Sequence, residues 1–305
     1  MKTLFFTGKG GVGKSTLSAA TSWQLAEKGY KVLTVSFDPA HNLGDIFGLK
    51  LSHKKKKFTP NLYLQEANLE EAANDYVKQN TDILTEVYSY TRAFNLDLYF
   101  KVLKHAPGVE EYAALTAMEE LLRKETEFDY IVFDTPPTGL TLRILALPRI
   151  TITWVDRLTR IRKDILAKRH TVHNITGQYQ EQGIRLAYKE EDDSVMKKLR
   201  ELFKRYVALS KTIESQDSSI AVVLNPDYLS LRESQRILVG LKDLELPLRA
   251  VFNNKYEPSL EDVAQEMEKE LLRGRSDVFL DRVPRVAAAY KESYKLDYDL
   301  TKAFI

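Results

Sequence analysis

The feature that most constrains this fold is a glycine-rich segment near the start of the chain, which reads G-K-G-G-V-G-K-S-T over residues 8–16. It fits the pattern G-x-x-x-x-G-K-[ST], in which backbone N–H groups and a helix N-terminus cradle phosphate. An apolar run, residues 4–6, precedes the segment, and a helix-like stretch, residues 14–29, follows it. Because strand, loop and helix occur in the order that such a cradle needs, the segment predicts a phosphate-binding loop.

Each position of this loop has a physical task. Glycines without Cβ atoms allow successive N–H groups to curl round phosphate oxygens. Lys14 is expected to bridge the β and γ phosphates, and the Ser15 hydroxyl is expected to ligate Mg²⁺. The sequence therefore predicts ATP and Mg²⁺ as cofactors. The predicted nucleotide-binding residues of the loop are Gly8, Lys9, Gly10, Gly11, Val12, Gly13, Lys14, Ser15 and Thr16.

Composition narrows the class of protein. The chain has 305 residues, with 44% hydrophobic and 29% charged residues, a formal net charge of +2 and no cysteine. These values are typical of a globular protein, and no nucleic-acid partner is expected. Without thiols the chain cannot build disulfides, iron–sulfur clusters, thiolate zinc sites or thiol-bound arsenic sites. Since no apolar run is long enough to span a membrane and no signal peptide is recognisable, we expect a cytoplasmic protein without stable membrane insertion.

Strand-like runs and helical patterns alternate along most of the chain. The runs are apolar and rich in Val, Ile and Phe, which is typical of strands buried on both faces. They occupy residues 3–7, 31–36, 62–65, 130–134, 220–225, 248–253 and 278–280. Because helices between parallel strands form right-handed crossovers, the predicted fold is α/β: a P-loop NTPase with a mostly parallel twisted sheet flanked by helices.

Two long stretches, residues 68–127 and 150–217, break this alternation and read as wholly helical. We interpret them as an inserted α-helical subdomain that serves a client or partner. The remaining segments are predicted to form the nucleotide-binding P-loop domain, which would comprise residues 1–67, 128–149 and 218–305.

The two helical stretches differ in character. Between Ile83 and Leu103 the first presents a broad apolar and aromatic surface, which either packs between helices or lines a groove for an apolar client. The second opens with basic residues between Arg157 and Arg169. This segment is interpreted as a solvated helical hairpin, and the alternative is a contact with anionic lipid or an acidic partner.

Two aspartates follow strand-like runs, where the ligands of parallel sheets bind. Asp38 opens D-P-A-H-N-L-G-D, and Asp134 opens D-T-P-P-T-G-L-T-L-R. Hydrolysis of a nucleoside triphosphate needs acidic groups that orient the attacking water and hold Mg²⁺. We expect Asp38 to orient the attacking water. Asp134 and Ser15 are expected to hold Mg²⁺, partly through coordinated water. His41 is either a second base or a packed switch residue.

In this order, the phosphate loop and the two aspartate segments resemble the family of arsenite-pump ATPases and tail-anchored-protein targeting ATPases. Further matches are N-L-Y at 61–63 with Glu66, P-G-V-E-E-Y at 107–112 and P-D-Y-L-S-L-R-E-S at 226–234. The lysine-rich loop is the mark of deviant Walker A ATPases. The Asp38 segment separates the chain from the plasmid-partition and division-site ATPases that share this loop.

The resemblance implies a homodimer with both nucleotides at its interface. Lys9 would act across that interface, with a solvated surface lysine as the alternative, and Asn253 and Pro284 would lie beside adenine. Lys9, Lys14 and Asp38 would form the catalytic set. In the targeting branch, closure of the dimer builds an apolar groove for a client transmembrane helix; in the pump branch, it energises transport of an anion across a membrane.

The chain also departs from this family. No C-x-x-C pair follows Asn254, so no zinc site is expected. Leu140 and Pro136 stand where the family usually has histidine and alanine, which affects how the second switch is coupled. The rival interpretation is a positioning ATPase that binds membrane or DNA. Such a protein needs a basic anchor, and the tail over residues 287–305 instead places acidic residues among its apolar ones.

Overall fold

A computed structural model describes the chain over residues 1–38, 42–87, 106–177, 180–181, 184–185, 187–285 and 292–305. The strands are β1 (Lys2–Thr7), β2 (Val32–Ser36), β3 (Lys56–Lys57), β4 (Leu62–Glu66), β5 (Tyr130–Asp134), β6 (Gln180–Glu181), β7 (Ile184–Arg185), β8 (Ser218–Leu224), β9 (Leu248–Tyr256) and β10 (Phe279–Pro284). The helices are α1 (Lys14–Glu27), α2 (Asn42–Phe47), α3 (Leu69–Val87), α4 (Val109–Lys124), α5 (Thr138–Thr176), α6 (Ser194–Glu214), α7 (Tyr228–Asp243) and α8 (Glu261–Leu271).

An eight-stranded sheet organises the molecule, with the strand order β10-β9-β8-β1-β5-β2-β4-β3. Every pairing is parallel except the edge pair of β3 with β4. This confirms the predicted α/β fold with a mostly parallel sheet. Because β1 lies between β8 and β5, the loop that leaves β1 at Thr7 is flanked by the ends of both neighbours. The carboxyl edge of the sheet therefore gathers the segments after Thr7, Ser36 and Asp134.

Both faces of the sheet are buried, which explains the continuous apolar runs. In β1, Phe5 packs with α4, α5, α6, α7 and α8 on one face. Leu4 and Phe6 pack with α1 and α2 on the other face. Phe5 and Phe133 are stacked with ring centroids 4.8 Å apart, so the two central strands share an aromatic layer. Burial of this kind contributes about 1.5–3 kcal/mol per large apolar side chain.

The stretch over residues 150–217 is not wholly helical. Helix α5 begins at Thr138 and runs through Pro148 without interruption. A short antiparallel pair, β6 with β7, lies between α5 and α6. The inner ends of α4 and α6 also contribute to the core beside the sheet, through Leu115 and Leu209. The helical subdomain therefore stays a prediction. Helices α4, α5 and α6, which would belong to it, also pack against the sheet.

Two sequence-based predictions fall outside the described part of the chain. The apolar surface between Ile83 and Leu103 lies outside the described side chains, and His41 lies outside the described residues. Within the described ranges, no helix is both long and apolar enough to cross a bilayer.

The C-terminal strap, residues 292–305, packs along α1. The Gln24 amide donates to the Tyr298 carbonyl at 2.6 Å, and the Leu300 N–H donates to the Gln24 side chain at 2.9 Å. Leu300 and Phe304 are buried against the sheet. The strap therefore packs as part of the core that α1 and the sheet form.

Candidate functional site

The loop between β1 and α1 has the conformation of a phosphate cradle. Gly13, just before α1, has φ +99°, which L side chains rarely adopt. A Cβ on Gly13 would stand 2.3 Å from the Asn254 amide nitrogen, and one on Gly8 would stand 2.2 Å from the Val223 carbonyl oxygen. Both positions therefore require glycine, because backbone or a buried amide closes on them. The loop ends at the N-terminus of α1, where helical N–H groups and the helix dipole favour a bound anion.

Lys14 is the most buried cation of the loop. It is 4% exposed, and its Nζ donates to the Lys9 carbonyl at 3.4 Å. Burial lowers the pKa of Lys14, and the charges of Asp134 and Asp38 act in the opposite direction. A cation held in this way is poised to exchange a weak contact with its own loop for phosphate oxygens.

Asp134, at the end of β5, is fully buried below the loop. The Ser36 hydroxyl donates to its Oδ2 at 3.3 Å, and Oδ1 has no hydrogen-bond partner among the described residues. Burial raises the pKa of Asp134 to about 6, although contacts with Ser15, Lys14 and Ser36 act against this rise. An unsatisfied buried carboxylate oxygen is costly, so it indicates a missing ligand.

Asp38 lies one strand away, just after β2. Its backbone N–H donates to the Ser36 hydroxyl at 3.3 Å, so Ser36 contacts both acidic segments. Ser36 is therefore a residue of the candidate site that was not predicted from the sequence. Its signal was its position at the end of β2, two residues before Asp38.

The segment after Asp134 is tied to the sheet by threonine hydroxyls. Thr135 donates to the Phe6 carbonyl at 2.7 Å, and Thr141 donates to the Pro136 carbonyl at 2.6 Å. Leu140 packs against the core beside α4 to α8. Leu140 thus anchors the start of α5 through apolar contacts, and Pro136 is buried at its base.

A cavity of about 600 Å³ adjoins the phosphate cradle, between the start of α1, the ends of β9 and β10, and the strap. Gly13, Asn254 and Pro284 line it, and the role of Pro284 beside adenine stays a prediction. The volume suits a nucleoside, since small-molecule pockets span about 300–1,000 Å³. Asn253 is not among the lining residues: its fully buried amide donates to Glu268 at 2.8 Å.

The two residues that follow Asn253 in β9, Asn254 and Lys255, do line the cavity. The Asn254 amide donates to the Val12 carbonyl at 2.7 Å, and the Lys255 ammonium donates to the Gly11 carbonyl at 2.7 Å. Both side chains thus brace the cradle from β9. The Asn-Asn doublet was the available signal, but it left open which of the two residues faces the loop.

The residues present fit Mg²⁺ at the γ-phosphate side of the cradle. Mg²⁺ prefers oxygen ligands and usually keeps several waters. Here Ser15 lies in the first turn of α1, and the unsatisfied Oδ1 of Asp134 lies at the end of β5. Ser15 and Asp134 are therefore the residues that would hold the ion, and this assignment stays a prediction.

Comparison with known proteins places this site in a family. The sequence model of the family described as "Anion-transporting ATPase" matches residues 1–304, almost the whole chain. The chain belongs to the anion-transporting ATPase family. It is therefore an ATPase that uses nucleotide, which confirms the family predicted from the three motifs.

Relatives within the anion-transporting ATPase family carry two kinds of name. "Putative arsenical pump-driving ATPase 2" of Aquifex aeolicus (strain VF5) is 28% identical over 310 residues, which cover 100% of this chain and 98% of the relative. "ATPase ASNA1 homolog" of Dictyostelium discoideum is 27% identical over 292 residues, which cover 92% of this chain and 82% of the relative. "Putative arsenical pump-driving ATPase 1" of Aquifex aeolicus is 30% identical, and the chain spans only 65% of its length.

Proposed function

We propose that this protein is an Mg²⁺-dependent ATPase that works as a nucleotide-switched homodimer and couples hydrolysis to the handling of a membrane-protein client. One observation carries the ATP-site part of the proposal. A buried lysine and a buried aspartate with an unsatisfied oxygen meet under a glycine cradle, beside a second aspartate. Burying a polar group without a hydrogen-bond partner costs folding free energy. Several such groups at the carboxyl edge of a parallel sheet therefore support a ligand-binding site there.

The residues then divide the reaction among them. The cradle N–H groups and Lys14 bind and orient the phosphates, and Asp38 orients the attacking water and accepts its proton. Ser15 and Asp134 would hold Mg²⁺, which would offset charge on the phosphate oxygens. Asn254 and Lys255 keep the cradle in shape from β9. Most of the catalytic effect would come from positioning and electrostatics.

The dimer is tested by complementation between two inactive variants, Lys9→Ala and Asp38→Asn. If Lys9 acts on the partner's nucleotide, a mixed dimer has one complete site, on the Lys9→Ala subunit. Equal mixing should then restore roughly a quarter of the wild-type rate, because half of the random dimers are mixed and each has one working site of two. Each variant alone is the control. A mixture as inactive as its parents would overturn the trans role of Lys9.

The client part of the proposal is supported by the outer face of α5. Four apolar residues of this face follow one another at spacings of three or four positions, so they lie on one side of the helix, and they are between 37% and 58% exposed. This α5 stripe consists of Trp154, Leu158, Ile161 and Ile165. Monomeric proteins rarely expose large contiguous apolar patches, whereas surfaces for apolar partners do.

The client is identified by trapping the ATP-bound state. The Asp38→Asn protein, saturated with ATP in cells, should retain its client because hydrolysis no longer releases it. Enrichment of single-span membrane proteins would support client targeting. Recovery of no membrane protein at all would contradict client handling while leaving the ATPase assignment standing.

A second candidate, the energising subunit of an anion transporter, is favoured by one observation. The relative named as a pump-driving ATPase aligns over this entire chain and over 98% of its own length. The same trapping experiment distinguishes the two, because an energising subunit would co-purify with one integral transporter. With no cysteine in the chain, transport of trivalent arsenic would need a binding site that is not built from thiols.

A further inference from the structure

An aromatic cluster joins the C-terminal strap to helix α2. Tyr294 is 4% exposed, and its ring stacks on Phe47 with centroids 4.4 Å apart and an interplanar angle of 21°. Phe58 meets Tyr294 edge-on at 5.7 Å, and Trp23 of α1 lies 5.0 Å away. Aromatic pairs in such geometries are worth more than their buried area alone. Tyr294 is thus in contact with aromatic rings from three separate segments.

On the strap side, the neighbours of Tyr294 form part of the nucleoside cavity. Ser293 and Leu296 line it together with Gly13 and Leu17. Phe47 does not line this cavity. The position of the Tyr294 ring therefore determines how close the strap residues that line the cavity lie to the start of α1.

On the other side, the cluster fixes the helix that follows the hydrolytic aspartate. Phe47 is the last residue of α2, and α2 begins four residues after Asp38. The Gly44 N–H of α2 also donates to the buried Glu66 carboxylate at 2.9 Å. A shift of Phe47 therefore moves α2, whose first residue lies four positions after Asp38.

The strap is held independently further along. Gln24 bonds the strap at Tyr298 and Leu300, and Phe304 is buried near Phe6 with centroids 5.9 Å apart. Loss of the Tyr294 ring therefore leaves the strap attached and releases its contacts with Phe47, Phe58 and Trp23. Loss of the Phe47 ring instead releases the α2 side of the junction, while Trp23 still packs on Tyr294.

We infer that Tyr294 is a positioning residue that couples occupation of the nucleoside cavity to the placement of α2 and Asp38. This inference rests on the proposed function, because it assigns the cavity to the nucleoside of ATP and Asp38 to hydrolysis. A bound base presses on the strap wall, Tyr294 transmits that position to Phe47, and α2 holds Asp38 in its working place. ATP is thereby favoured over a phosphate chain that lacks a base.

The test compares binding of ATP with binding of inorganic tripolyphosphate to Phe47→Leu, Tyr294→Leu and the double variant. Each leucine variant should lower ATP affinity about threefold to tenfold, which is the effect expected when one stacked aromatic pair is lost. Affinity for tripolyphosphate should stay within about twofold, since it has no nucleoside to fill the cavity beside the strap. The double variant should lose little more than either single variant, because both break the same junction.

Two further variants sharpen the result. Tyr294→Phe keeps the ring and should restore the preference for ATP. Tyr30→Leu removes an aromatic ring from a separate aromatic pair, with Tyr130, and serves as the control for a general loss of packing. If Tyr294→Leu fails to fold, Phe47→Leu still decides, since Phe47 touches the junction without lining the cavity.

The inference is overturned if Phe47→Leu binds ATP as tightly as the wild type, if tripolyphosphate affinity falls in parallel, or if the two effects simply add. These outcomes are separate from failure of the proposed function. A wild-type protein that binds ATP without hydrolysing it would contradict the proposed function, and the binding comparison would still report on the junction.

Discussion

Two regions depart from the usual pattern of burial in opposite directions. They are the carboxyl edge of the sheet, where the phosphate cradle lies, and the outer face of α5. At the edge, Lys14 and Asp134 are polar and almost completely enclosed. On the α5 stripe, Trp154 and Ile161 are apolar and more than half exposed. Buried unpaired polar groups and exposed apolar patches are the two informative exceptions to the usual distribution of residues.

The difference shows how each region would be completed. Among the described residues, the edge has a buried carboxylate oxygen of Asp134 without a hydrogen-bond partner, which a ligand would satisfy. The side chains of the stripe are exposed, and an apolar partner would cover them. Each exception should therefore behave differently when it is mutated: changes at the edge should alter turnover, and changes on the stripe should alter binding of a partner.

The largest expected effect is at the edge. Asp38→Asn should lower ATP turnover about 10²–10⁴-fold with little change in ATP affinity, because a positioned acid-base group is lost while the cradle remains. Asp45→Asn, an exposed aspartate on the adjacent helix α2, is the matched control and should retain wild-type turnover. Steady-state kinetics with nucleotide-binding titrations measure both quantities. Equal turnover in the two variants would remove Asp38 from the hydrolytic site.

The next effect contrasts two leucines on one helix. Leu166 is 2% exposed on α5, and Leu158 of the stripe is 47% exposed. Leu166→Ala should lower the free energy of unfolding by about 2–5 kcal/mol, since it leaves a cavity. Leu158→Ala should change it by no more than about 0.5 kcal/mol. Urea unfolding compares them. A similar loss in both would mean that the stripe is packed within the protein.

The smallest change in stability is expected where the stripe is made polar. Replacing Trp154 and Ile161 with glutamine should shift the free energy of unfolding by less than about 0.5 kcal/mol and leave basal ATP turnover within about twofold. Capture of an apolar client by the ATP-bound protein should be lost. Arg160→Gln, on the same helix but off the stripe, is the control. Undiminished capture would move the client surface elsewhere.

The sequence predicted the parts of this molecule that are local. The cradle is one contiguous segment, and strands covered on both faces read as unbroken apolar runs, so the loop and the parallel sheet followed directly. Helix α5 was harder to predict, because Pro148 suggests a helix boundary whereas the helix continues through it. The β6–β7 pair has only two residues in each strand, which is too few for a pattern of alternation.

Features that depend on register or on distant contacts were not predictable. Adjacent side chains in a strand point to opposite faces, so composition did not decide between Asn253 and Asn254. The aromatic cluster brings Tyr294 to Phe47 from 247 positions away in the chain. No periodicity or motif in a single sequence indicates a contact between positions so far apart.

The central claim is that the enclosed polar groups at the sheet edge serve catalysis at a cost to stability, and Asp134→Asn tests it most directly. Burial raises the pKa of Asp134 from 3.8 to about 6, so the folded state holds this proton more tightly than the unfolded state between those values. The free energy of unfolding therefore falls as the pH rises through this window. At neutral pH the ionised carboxylate costs about 3 kcal/mol, which asparagine avoids.

The measurement is the free energy of unfolding of wild type and Asp134→Asn at pH 7.5 and pH 4, with ATP turnover measured on the same samples at pH 7.5. We predict a variant that is more stable than the wild type at pH 7.5, gains little at pH 4 and has lost Mg²⁺-dependent turnover. A variant that is less stable at pH 7.5, or that still hydrolyses ATP at the wild-type rate, would contradict the account.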